Sequence, residues 1–215
     1  ANQDEFVRRL WPLLENSKML MTSRRRFKGD VYPVHLRGLE EESAIQMIRY
    51  EAAEKAIRRV VDAPVQDQRL IARTTGGSPL ALKLMIGQLQ HLPLETVIEA
   101  LQNVELDENG TEEDDYVRFY KSIFWTSWQL LSEQAQRLLV SMAVFPPGGG
   151  GTVEALQSIS DLEAKTLSRV LDELWRFSFV EAGEAGLRVK KTRYYLHPLT
   201  RNFVISDIVK PSQVS

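Results

Sequence analysis

The sequence predicts a mainly α fold built in three successive parts, and three observations carry that prediction. Apolar residues recur at helical spacing over most of residues 43–177. The stretch 179–195 reads instead as a two-stranded ribbon around a turn at 183–186. Between two helical runs, residues 107–115 are acidic and hold no apolar side chain, which marks a linker. A run of helices followed by a hairpin is the order of a winged helix-turn-helix domain.

Bulk properties narrow the function classes. At 215 residues the chain has room for one large domain or two to three small ones. Hydrophobic residues at 43% and charged residues at 26% are globular rather than disordered proportions. A formal net charge of -2 gives no global basic field to recruit nucleic acid or an anionic membrane. The lack of cysteine removes disulfides, thiolate metal sites and cysteine nucleophiles, and it fits a reducing cytoplasm. No run approaches the roughly 18 to 20 apolar residues of a membrane span, and no signal-peptide pattern opens the chain. The expectation is a cytoplasmic protein without membrane contact.

In order along the chain, Phe6, Leu10, Leu13 and Leu14 predict a helix over 4–14. The short apolar run 18–23 reads as a buried strand, and the alternation over 31–36 as a second one, with Pro33 arguing against a central position. Helices follow at 43–61, with Ile45, Ile48, Ala52 and Ile57 on one face, and at 66–73. Residues 74–78 break the pattern, and Pro79 suits the first turn of a helix over 79–90. Leu80, Leu84 and Ile86 or Gly87 face inward there, and another short helix covers 94–101. Beyond the linker, helices are expected at 120–131, 133–143, 152–157 and 162–177, with a hard break at the prolines and glycines of 146–151. Trp125, Trp128 and Trp175 fall on helix faces and read as core.

Four of these segments, taken in order, resemble the STAND (NB-ARC-type) nucleotide switches. The run Met19-Leu20-Met21-Thr22-Ser23-Arg24 is similar to the family's sensor-1 strand, whose terminal arginine approaches the γ-phosphate. Gly76-Gly77-Ser78-Pro79-Leu80 resembles the GxP motif, in which the proline lies against adenine. Residues 127–180 resemble the winged-helix domain, and His197 falls where the family's MHD histidine meets the β-phosphate of ADP, with Pro198 in place of the aspartate. The resemblance implies a nucleotide-binding set of Arg24, Gly77, Ser78, Pro79, Leu80 and His197.

It also implies a division into a C-terminal remnant of an α/β nucleotide-binding domain (1–38), a small helical domain with the GxP-like segment (39–106) and the linker (107–115). A winged-helix domain (116–209) and a tail (210–215) follow. No G-x-x-x-x-G-K-[ST] motif and no Walker B strand occur in the sequence, so the chain by itself is expected to bind no cofactor and to catalyse nothing. ADP, or ATP with magnesium, belongs to a longer parent whose missing nucleotide-binding half is the expected partner. In such sheets the P-loop strand separates the two strands predicted here. The N-terminal remnant is therefore expected to rearrange or to be shielded by another copy.

Two other classes stand beside the switch. A DNA-binding winged helix would use Lys165 and Arg169 on its recognition helix and Arg188, Lys190, Lys191 and Arg193 on its wing; Glu163, Asp172 and Glu173 oppose it. A protein-interaction module would use the apolar N-terminal segment. His35 and His91 lack metal-ligand spacing, and the acidic run lacks the alternation of a calcium loop.

Overall fold

The structure is a computed structural model, and it describes residues 3–14, 17–22, 32, 34–102, 112–146, 148–185 and 191–210. The chain divides into two units, Ala1–Arg37 and Gly38–Ser215. In the first, α1 (Gln3–Leu10) runs into a 3-10 turn, Trp11–Leu13, where Pro12 is tolerated because a first turn needs no N–H donor. Among the described residues, neither expected strand is present. Residues 17–22, 32 and 34–36 are neither helical nor strand, and Leu20 is 94% exposed. A strand is held by the N–H and C=O groups of its neighbours, and the described residues of the first unit include no strand to supply them.

The second unit opens with α2 (Glu41–Glu54) and α3 (Arg58–Val61), which replace the single helix expected over 43–61. Lys55 caps α2, Ala56 turns left-handed at φ 55°, and the Ile57 N–H returns to the Ala52 carbonyl at 2.8 Å. That closure satisfies carbonyls the helix would otherwise leave open. α4 (Val65–Thr74) closes the same way through Gly76, with the Gly77 N–H on the Ala72 carbonyl at 3.0 Å. α5 (Pro79–Gln88) is buried almost all round, from Ala81 and Leu82 through Leu84 to Gln88, so it is a central helix rather than a one-sided one. α6 (Leu94–Gln102) packs against α4.

α7 (Glu112–Leu130) begins inside the expected linker, since acidic residues suit the positive end of a helix dipole. α8 (Glu133–Met142) is capped by the Ser132 hydroxyl, which accepts from the Ala135 N–H at 3.3 Å. Then come β1 (Gly151–Thr152), α9 (Val153–Ser160), α10 (Ala164–Arg176), β2 (Val180–Ala185), β3 (Lys191–Leu196) and α11 (Pro198–Phe203), followed by a π-helical turn at Val204–Val209. The antiparallel sheet has the order β1-β3-β2, with Gly151 opposite Tyr194 and Val180 opposite Leu196. β1 went unread because two residues carry no periodicity. α10 ends in a third left-handed closure, at Ser178 (φ 60°), where the Phe179 N–H reaches the Leu174 carbonyl at 2.9 Å.

One hydrophobic core serves residues on both sides of the acidic stretch, from Ala44 to Val204. Phe124 of α7 stacks on Phe203 with ring centroids 5.3 Å apart and leans on Phe179 at 6.1 Å. Trp125, expected inside, is 47% exposed and meets Phe203 edge-on, because adjacent helical residues point about 100° apart and Phe124 takes the inward position. Trp128 and Trp175 are half-buried against the core. The architecture is mainly helical with one small three-stranded sheet.

Candidate functional site

The loop before α5 is shaped by its glycines. Gly76 and Gly77 both have positive φ, 57° and 68°, and Ser78 takes the extended conformation that starts the helix. A Cβ on Gly77 would lie 2.2 Å from the Leu39 carbonyl oxygen, and one on Gly38 would lie 1.9 Å from that of Gly76. The Leu39 N–H donates to the Gly77 carbonyl at 2.8 Å. The close backbone approach that these glycines allow is therefore taken up by the chain entering α2. Of Gly38, Gly76 and Gly77, it is Gly76 that opens onto space.

Around this crossing, Thr75 is buried and its hydroxyl donates to the Ile71 and Ala72 carbonyls at 2.9 and 3.1 Å. The Ser78 hydroxyl hydrogen-bonds the Tyr120 hydroxyl of α7. Pro79 is exposed and Leu80 is half-buried against the core.

His197 caps α11. Its Nδ1 accepts from the Leu199 N–H at 3.2 Å, which leaves Nε2 as the proton-bearing nitrogen of the neutral ring. Burial pushes its pKa below the ordinary 6.5; Glu181 opposes that shift and Lys83 adds to it. Lys83 belongs to α5, one turn beyond Pro79. Its ammonium stands 3.6 Å from Glu51 of α2 and 3.6 Å from Glu181 of β2. Lys83 of α5 and Glu181 of β2 are thus the charges that bear on His197, in opposite directions.

Sequence reasoning missed Lys83, Lys55, Glu51, Ser178 and Glu181. Two signals were available: Lys83 is the lone charge in the apolar run Pro79–Gly87, and Lys55 continues the inward face of Ile45, Ile48 and Ala52.

The remaining predicted residues are scattered. Arg24, Arg188 and Lys190 lie outside the described residues, as does the side chain of Lys191 at the start of β3. Arg193 donates to the Gly149 carbonyl at 2.8 Å and helps hold the glycine loop against β3. On α10, Lys165 is exposed and Arg169 donates to Gln134 at 2.8 Å. Glu173 accepts from the Ser132 backbone and hydroxyl. The α10 face is thus mixed in charge, and its arginines have protein partners. Among the described residues, no group of three His, Asp or Glu side chains could hold a metal, and no helix is long and apolar enough to cross a membrane. No known family model matches this sequence, and no curated protein matches it significantly.

Proposed function

We propose that this chain is the adenine-side and latch portion of a STAND-type ATP/ADP-dependent regulatory switch, with no catalysis of its own. The observation that supports the reading is that Lys83, one turn beyond Pro79 on α5, is among the charges that act on half-buried His197. An anion placed there would meet an Nε2–H donor and would compete with Glu51 and Glu181 for the Lys83 ammonium, while the exposed ring of Pro79 offers an apolar surface one turn away. Those groups suit the phosphate and base ends of a nucleotide. Pro79, with Ser78 and Leu80 beside it, would hold adenine; His197 would hold the β-phosphate. A phosphate nest and magnesium ligands would have to come from outside these 215 residues, and Arg24 would read the γ-phosphate.

The winged-helix reading of the C-terminal part draws support from the order α8, β1, α9, α10, β2, β3 with an antiparallel three-stranded sheet. DNA binding is the weaker use of that part, because Glu173 and Asp172 share the α10 face with Lys165 and Arg169.

The test is an ADP titration of this chain beside a longer product of its parent gene. The longer chain binds and this one does not, and His197→Ala weakens the longer chain by about tenfold or more, as expected for a hydrogen bond to a charged group. Pro79→Ala weakens it as well. Unchanged affinity in both variants sinks the reading, as does a gene that encodes nothing beyond this chain.

A further inference from the structure

Two helix ends meet inside the second unit. Lys55 caps α2, and Ser178 holds the left-handed position that closes α10. Lys55 is 2% exposed; its ammonium hydrogen-bonds the Ser178 hydroxyl and lies 3.3 Å from Glu51. The same hydroxyl donates to the Lys83 carbonyl of α5 at 3.1 Å, and Arg176 Nη1 donates to the Lys55 carbonyl at 3.0 Å. Lys83, shared between Glu51 and Glu181, completes a set of two ammoniums and two carboxylates spanning α2, α5 and β2.

Two features of this cluster go beyond routine packing. First, Ser178 has φ 60°, where glycine is the comfortable residue, and α4 uses Gly76 for the same closure. Ala56 takes the same conformation with only a methyl group, whereas Ser178 brings a hydroxyl that is hydrogen-bonded on both sides. Here the hydroxyl joins three elements. Second, burying an ammonium costs solvation that an apolar side chain of similar length would not, and burial pushes Lys55 below its ordinary pKa of 10.5 against the pull of Glu51. An apolar replacement of such a group is often neutral for stability, whereas removing one partner leaves the other buried and unmatched.

We propose that Lys55 and Ser178 form a latch that closes the corner between α10 and β2 onto α2 and α5, and that this corner lifts as a unit when the Lys55 ammonium is left buried without its partners. The latch uses only groups of this chain. It needs no nucleotide, and it stands or falls apart from the ADP reading.

Hydrogen exchange of the whole chain without nucleotide tests it, using Ser178→Gly, Lys55→Met and Glu51→Gln. Ser178→Gly relieves the backbone, so a purely local role predicts equal or greater protection at the corner. The latch predicts the opposite: amides of 177–185 exchange about tenfold faster or more, while those of α7 and α8 do not follow. Glu51→Gln acts in the same direction. Lys55→Met removes the buried charge and keeps the corner closed, and Ser178→Gly then has little further effect in that background. Faster exchange spread evenly over 38–210, protection gained in Ser178→Gly, or the same Ser178→Gly effect with and without Lys55 would each overturn the proposal.

Discussion

Met19-Leu20-Met21 and Leu84-Met85-Ile86 have nearly the same composition and opposite fates. The first stays exposed, with Leu20 almost wholly in solvent and no regular structure among the described residues 17–22. The second disappears into the core on α5. The difference lies in the backbone. A helix answers its own N–H and C=O groups, so α5 can be surrounded by apolar neighbours as soon as they collapse on it. A strand borrows its hydrogen bonds, and an apolar run without a neighbouring strand has nothing to borrow from.

The largest way to sharpen that contrast is to truncate one leucine in each region. Leu84→Ala should cost about 2–5 kcal/mol, because the side chain is fully buried and leaves a cavity. Leu20→Ala should stay within about 0.5 kcal/mol. Urea unfolding of both variants measures the gap, and similar midpoint shifts would mean that the 17–22 run is buried in solution.

A smaller contrast separates two adjacent glycines. Gly77→Ala combines positive φ with a collision on the Leu39 carbonyl and should cost about 1–3 kcal/mol. Gly76→Ala has the same backbone strain but open space, and should cost only about 1 kcal/mol. Equal losses in thermal melts would show that the crossing is not the constraint.

The smallest effect concerns His197, which is neither exposed nor fully buried. Its pKa is lowered in the fold, so between that lowered value and 6.5 the unfolded chain binds more protons. Stability therefore rises with pH across that window; the penalty is absent above it and complete below it. Melting temperatures followed from pH 8 down to 5 should fall more for the native chain than for His197→Asn, which keeps a capping acceptor and cannot titrate. Parallel curves would remove His197 from the account.

The helical part was legible because α-helices announce themselves through side-chain spacing alone. Ile45, Ile48, Ala52 and Ile57 were placed inward by periodicity and are buried. The strands at 18–23 and 31–36 were misread because an apolar run reports a preference for burial, not the presence of a partner. The α2–α3 break was missed for a different reason: Ala56 turns left-handed with no glycine to signal it. The site divides in the same way. Pro79 at a helix start and His197 after the hairpin could be found from motif and order, whereas Lys55 and Ser178 are brought together across 123 positions by tertiary packing.

The crossing of Leu39 over Gly77 makes residues 39–77 a closed loop fastened by backbone at its mouth. Closing a loop depends weakly on its length, since doubling it adds only about 0.6 kcal/mol. Extra residues in the turn at 62–64, on the far side from the mouth, should therefore be absorbed with little loss. At the mouth there is no such freedom, because two chains pass where one added methyl group has no room. Over evolutionary time this segment can vary in length far more readily than in the residues of its closure.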